Sequence, residues 1–423
     1  MTTILADIGA NKAGYDVNVT QYISDVTDTT SGYNVNSDYN VTDGAINSSG
    51  FGDAGTPLLT SSGCLIVNIS GLIIYDDSDD PVSSKTVEVF NDLKATVLIP
   101  ALFFIGFPTN CLNLLVFFKH NLKQRINMCL FCLSLVDLIY ITFRFMMYVE
   151  QVRPGAMDAD DKTALTVVTF IVNNHLLGLS GFGWASLFIS AIISGERCFC
   201  VIWPLRSSTL LKTRTTAIVL LIGVALIVAG RFAVTERFRI SCLYNLATEK
   251  MIASVTPSRY YVEHKEMVDI LDSVVYGMVV PMTTCTFVTV ATVVTAVRLK
   301  QVAQWRQESS SALSAREIAL TRMLIYLSVQ FIVLSLPNVL LRVTSVIVPN
   351  LRFTGRFNNL FFLLTGVVEI STALNSSLNF LVYFLAGSKY RETVRGLYGK
   401  AATKKKAVLL NVNATAPNSN TSS

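Results

Sequence analysis

A few side chains in this chain carry charge or strong polarity where the surrounding residues are apolar. They are Asn110, Asp137, Arg144, His175, Arg342 and Glu369, with Asn375, Ser376 and Asn379 close behind the last. An ionised group at the centre of a hydrocarbon layer costs about 2.5–3.5 kcal/mol on insertion scales, so each should face protein and earn its place functionally. Asp137 and Arg144 are seven residues apart, as are Glu369 and Ser376, which sets each pair two turns and about 10 Å apart on one helix face. Arg144, Arg342 and Glu369 then fall at similar depth, where they either line one cavity or neutralise one another. Another charged pair, Glu196–Arg197, stands in GERCFCVIWPL at 195–205. The CFC in that stretch is a poor metal site, because no further Cys or His lies at ligand spacing. HExxH, GxSxG and P-loop patterns are missing, which argues against an enzyme.

The elements that must hold these residues are apolar runs. Of 423 residues, 51% are hydrophobic and 15% charged, against roughly 25% charged in soluble domains. Seven runs, near 95–118, 127–149, 164–194, 215–234, 268–297, 320–347 and 357–386, approach or exceed the roughly 20 residues that cross a bilayer. Only helices satisfy all backbone groups within one such segment, so the expectation is an all-α membrane protein with seven spans. Lys and Arg collect after the first, third and fifth runs and in the tail, whereas residues 1–94 hold three lysines and 13 acidic residues. The positive-inside rule therefore puts the N-terminus outside, at the plasma membrane, and the tail in the cytosol. The net +5 is a topology signal and gives no reason to invoke nucleic acid.

Three regions follow: an acidic, Ser/Thr/Asn-rich and largely disordered ectodomain (1–94), the seven-span domain (95–386), and an amphipathic helix with a tail (387–423). Sequons at Asn18, Asn40, Asn47 and Asn68 lie on the outer side, open to glycosylation. CLIVNISGLIIY (64–75) is too interrupted to span and reads as a short strand or hairpin. Of eight cysteines only Cys64 and Cys242 fall outside, so any disulfide should join those two.

In order along the chain, Asn110, LSLVD (133–137), GERCFCVIWPL, Pro281, FIVLSLP (331–337), NFLVY (379–383) and GSKYRETVRGLYG (387–399) match a known pattern. The chain resembles the class A (rhodopsin-like) G-protein-coupled receptors over about 95–399, and within them is most similar to molluscan orphan chemosensory receptors and FMRFamide-type peptide receptors. The resemblance implies a sodium ion at Asp137, with Asn110, Asn375 and Ser376 completing a polar core. It implies a switch in which Arg197 bridges Glu196 and Glu317 when inactive, with Asn379 and Tyr383 participating, and hinges at Pro281 and Pro337. It further implies a ligand site among Arg144, His175, Asp272, Arg342 and Glu369, suited to a small zwitterion or a peptide with an acidic or amidated end. A heterotrimeric G protein is the implied partner, with arrestin recruited through tail and loop Ser/Thr residues and lipid surrounding the spans.

Departures carry information too. Val172 occupies the place of the usual third-span Cys, which leaves Cys242 to Cys64. Ser335 replaces the span-six Trp, and Phe380 replaces the span-seven Pro. Leu179 stands where amine receptors carry Asp, and span seven has no Lys for retinal. A receptor-fold protein that does not signal is the alternative reading, and a membrane transporter is the more remote one.

Overall fold

Seven helices are long and apolar enough to cross a membrane: α1 Ser84–Lys119, α2 Arg125–Tyr148, α3 Leu176–Ile202, α4 Thr213–Thr235, α5 Lys265–Gln301, α6 Ile318–Ile347 and α7 Asn358–Ala386. The computed structural model describes residues 65–67, 80–148, 171–172, 174–204, 206–207, 211–245, 250–306, 312–352 and 355–397. The sequons Asn18, Asn40, Asn47 and Asn68 lie outside the described residues, as do Cys64 and the side chains of Cys242 and Glu317.

The helices close into a ring, α1 against α2 and α7, α6 against α5 and α7, with α3 touching α2, α4, α5 and α6. A large cluster built on Leu130, Leu133, Ile189, Ile193, Leu324 and Tyr383 fills the interior. Leu221 and Leu226 on α4 are 72% and 68% exposed, the outward apolar face that lipid would cover. Residues 388–397 form an eighth helix, α8. Its Tyr390 and Val394 are buried, and the Tyr390 hydroxyl donates to Asn113 Oδ1 at 2.6 Å, which ties α8 to α1.

A three-stranded sheet caps one end of the bundle. β2 (Phe238–Asn245) and β3 (Lys250–Pro257) form an antiparallel hairpin between α4 and α5, and β1 (Leu65–Val67) adds in parallel to β2. The short strand expected within 64–75 is thus present and seated on the hairpin. We call this end the sheet face and the opposite end, which carries α8, the tail face.

Two span boundaries differ from expectation. α1 begins eleven residues earlier than 95, because Ser83 caps it with its Oγ accepting from Thr86 N at 3.3 Å. α3 begins near Leu176 and runs to Ile202. The polar stretch Asn174–His175 interrupts the apolar run, with His175 in the left-handed region at φ 57°. Glu196 and Arg197 consequently sit inside the last turns of α3, not beyond its end.

Two π-helical segments interrupt the spans, Lys94–Leu98 in α1 and Ile270–Val279 in α5. Each stops two residues before a proline, Pro100 and Pro281. A proline removes one amide donor and its ring crowds the carbonyl four residues back. The wider i→i+5 turn accommodates that crowding and rotates the side chains before it.

Candidate functional site

The polar residues sort into three layers. In the middle of the bundle Asp137 is fully buried. Its Oδ1 accepts from Ser186 Oγ at 2.8 Å and Ser376 Oγ at 3.0 Å, and its Oδ2 from Asn379 Nδ2 at 2.8 Å. Asn110 Nδ2 donates to the Ser376 carbonyl at 2.8 Å, and Gln330 Nε2 to Asn379 Oδ1 at 3.1 Å. The network joins α1, α2, α3, α6 and α7, so a shift of any one helix breaks buried hydrogen bonds. The expected residues Asn110, Asp137, Ser376 and Asn379 converge here. Asn375 is buried beside them and lines a small cavity with Ser190, Ser328 and Asn379. Sequence reasoning missed Ser186 and Gln330, since a serine or glutamine in an apolar run carries no distinguishing pattern.

Toward the tail face, Ser194 and Ser328 hydroxyls meet at 2.9 Å. A second cavity follows, lined by Ser194, Arg197, Thr292, Thr295, Thr321 and Ser328. Arg197 Nη2 stands 3.5 Å from Glu196 Oε2, a long contact. The shorter pair is Arg125 Nε to Glu196 Oε1 at 3.1 Å. Arg125 also donates to the backbone oxygens of Ser207, at 2.9 Å, and Leu211, so it staples the start of α2 to the segment after α3. In the sequence Arg125 counted only as a topology charge. Tyr383 is buried, its ring 5.1 Å from Phe117 and 5.7 Å from Tyr390, and its hydroxyl has no partner among the described residues.

Near the sheet face the five expected ligand residues fall into three places. Glu369 Oε2 takes Lys94 Nζ at 3.0 Å, Arg144 Nη2 at 3.0 Å and the Tyr148 hydroxyl at 2.7 Å. Lys94, Arg144 and Glu369 side chains are 1%, 5% and 9% exposed. The mutual-neutralisation alternative therefore describes Arg144 and Glu369, with Lys94 as a third member that sequence reasoning assigned to the ectodomain. The π segment is what turns Lys94 inward.

Arg342 does not join that cluster. It packs against α5, where its Nη1 is 3.7 Å from the position a side-chain carbon would take on Gly277. Asp272 lies in the same π segment of α5, held by Arg231 Nη1 at 2.7 Å and Arg237 Nη2 at 2.9 Å. His175 is the third place and a correction: it sits before α3, 59% exposed, with Nδ1 2.8 Å from Glu236 Oε1. Its position at a helix start, not inside a span, removes it from the bundle interior. Next to this group, outside the spans, the Tyr261 hydroxyl donates to Asp269 Oδ1 at 3.0 Å. Burial and that carboxylate push its phenol up to about 12, so it stays protonated.

Seven spans, a core carboxylate tied to α7 and a charged pair at the tail-face end of α3 can be set beside known families, and one family model matches. The model described as "Serpentine type 7TM GPCR chemoreceptor Srw" matches residues 98–401. The chain belongs to that family. No curated protein matches it. The family match covers all seven spans of this serpentine chemoreceptor apart from the first residues of α1, and it includes α8.

Proposed function

We propose that this serpentine receptor sits in the plasma membrane with its sheet face outside, senses an extracellular chemical or peptide ligand, and activates a heterotrimeric G protein at its tail face. One observation carries the reading: the Asp137–Asn379 network and the two cavities that share Ser328 form a polar column from mid-bundle to Arg197. Such a column has two arrangements to offer, and a ligand that favours one shifts the population. Opening α6 about Pro337, with Pro281 easing α5, frees Arg197 for the G protein, while Glu196 stays held by Arg125. Glu317, directly before α6, is the residue we assign to Arg197 in the inactive state, and arrestin would follow through Ser/Thr phosphorylation of the tail.

Asp137 with the Ser186 and Ser376 hydroxyls is a hard-oxygen set that suits a sodium ion, which would hold the network in its resting arrangement. The finer placement, rhodopsin-like and similar to molluscan orphan chemosensory receptors and FMRFamide-type peptide receptors, rests on the motif order from Asn110 to Tyr383. Cys64 and Cys242 directly precede Leu65 and Leu243, which are partners in the β1–β2 register; we assign the two cysteines to one disulfide.

The test is ligand-screened signalling in cells with G-protein reporters, with Arg197→Ala as control. A response that Arg197→Ala abolishes at equal surface expression supports the reading. Silence in every reporter, with receptor at the surface, sinks it in favour of a non-signalling receptor.

A further inference from the structure

Among the described residues, the charges gathered around Asp272 on α4, α5 and α6 do not balance. Arg231 and Arg237 occupy one oxygen each of Asp272, and Asp269 stands 4.0 Å from Arg237. Arg342 is a third guanidinium within electrostatic reach of Asp272 and Arg231. It forms no ion pair among the described residues, and its buried Nε has no hydrogen-bond partner there. Three positive groups thus face two negative ones, and the unmatched one lies inside a span.

The stretch of α5 that Arg342 faces carries no side chain at position 277. In a π-helix the backbone pairs i→i+5, which brings the Asp272 backbone carbonyl 3.1 Å from the position a Gly277 side chain would take. Glycine at 277 leaves the Arg342 fork uncovered on that side. Arg342 is five residues before the end of α6 at Ile347, or about 7.5 Å of helix rise, within reach of a solute entering from the sheet face.

We propose that Arg342, facing α5 across Gly277, is an anion-recognition site that takes the carboxylate of a small organic acid. Guanidinium geometry favours it, since the planar fork matches a carboxylate with two parallel hydrogen bonds. The site names the ligand class for the receptor proposed above and rests on that reading for its signalling consequence. The binding itself does not depend on a G protein.

The test uses the full chain in phosphatidylcholine nanodiscs at fixed ionic strength, with thermal midpoint followed against benzoate, acetate and the uncharged benzamide. The expected result is a concentration-dependent rise with the two acids and none with benzamide, because a ligand that binds only the folded state raises its stability. Arg342→Gln should weaken acid binding about ten- to hundredfold, the value of a charged hydrogen bond, and Arg342→Lys, which keeps the charge but not the fork, should fall between. An unliganded midpoint close to wild type shows that each variant folds. Neither acid raising the midpoint, or equal responses in wild type and Arg342→Gln, overturns the proposal. A third outcome also overturns it: phosphatidylglycerol in the disc raising the wild-type midpoint, not that of Arg342→Gln, and cancelling the acid response. Arg342 then holds a lipid phosphate. Acid binding intact with every G-protein reporter silent removes the receptor reading and leaves the site standing.

Discussion

Two charged clusters share the sheet face and the same construction, yet they end in opposite states. Around α1, α2 and α7, Lys94, Arg144 and Tyr148 converge on one oxygen of Glu369, and all the charged side chains are nearly sealed from solvent. Around α4, α5 and α6, Asp272 takes two arginines while a third, Arg342, has no ion-pair partner among the described residues. Each cluster is presented from a π segment that stops two residues before a proline. The first uses that rotation to bring a cation onto a buried carboxylate, which joins three spans. The second sets the Asp272 backbone carbonyl and the Arg342 fork against Gly277, where there is no side chain to cover the arginine. Each cluster holds one cation more than it has carboxylates; in the first both cations sit on Glu369, whereas in the second Arg342 has no ion-pair partner among the described residues, which marks it as the one that can receive something.

The comparison can be broken by substitution, and the largest effect belongs to the sealed cluster. Glu369→Ala strands two buried cations and should cost about 3–5 kcal/mol of stability, the range for breaking a buried pair, read as a drop in thermal midpoint. Replacing Lys94 with Met in the same chain should recover part of the loss. Next comes the sheet above the second cluster. Cys242→Ser should cost about 2–4 kcal/mol if it removes a disulfide, and non-reducing peptide mapping of the wild type should recover a Cys64–Cys242 peptide. Asp272→Asn is expected to cost about 1.5–3 kcal/mol, since it weakens two charge-assisted hydrogen bonds on a carboxylate that is 22% exposed. Arg342→Gln should sit at the bottom, within about 0.5 kcal/mol of wild type. A cost for Arg342→Gln as large as that for Glu369→Ala would erase the distinction between a structural and a receptive cluster.

Much of this was legible in the residues. Length and hydropathy placed seven spans, and six of the seven runs end or begin within a few residues of a described helix. The mid-bundle network was legible because Asn110, Asp137, Ser376 and Asn379 are costly in hydrocarbon and sit at helical spacing, which leaves the bundle interior as the place for them. Pairing was harder. Lys94, Arg125 and Arg231 stand at run ends, where basic residues normally meet water or headgroups, so nothing in their position announced a buried or stapling role. The π segments were the other gap. Pro100 and Pro281 were visible, but a proline signals only that the turn before it must change, not that it widens by one residue and re-aims Lys94 or Asp272. His175 shows the reverse error: an apolar run continued on paper through Asn174–His175, where the backbone turns left-handed before α3 begins.

Arg342, without an ion-pair partner among the described residues of α4, α5 and α6, is proposed to receive the ligand, while the paired cations of the α1–α2–α7 cluster support the bundle. The most direct measurement is agonist potency in a G-protein reporter for an acid agonist and its uncharged amide, in wild type, Arg342→Lys and Arg342→Gln at matched surface expression. The acid should lose about ten- to hundredfold in potency in Arg342→Gln and less in Arg342→Lys, with the maximal response retained. Unchanged acid potency in Arg342→Gln, or equal potency of acid and amide in wild type, would contradict the assignment of the ligand to Arg342.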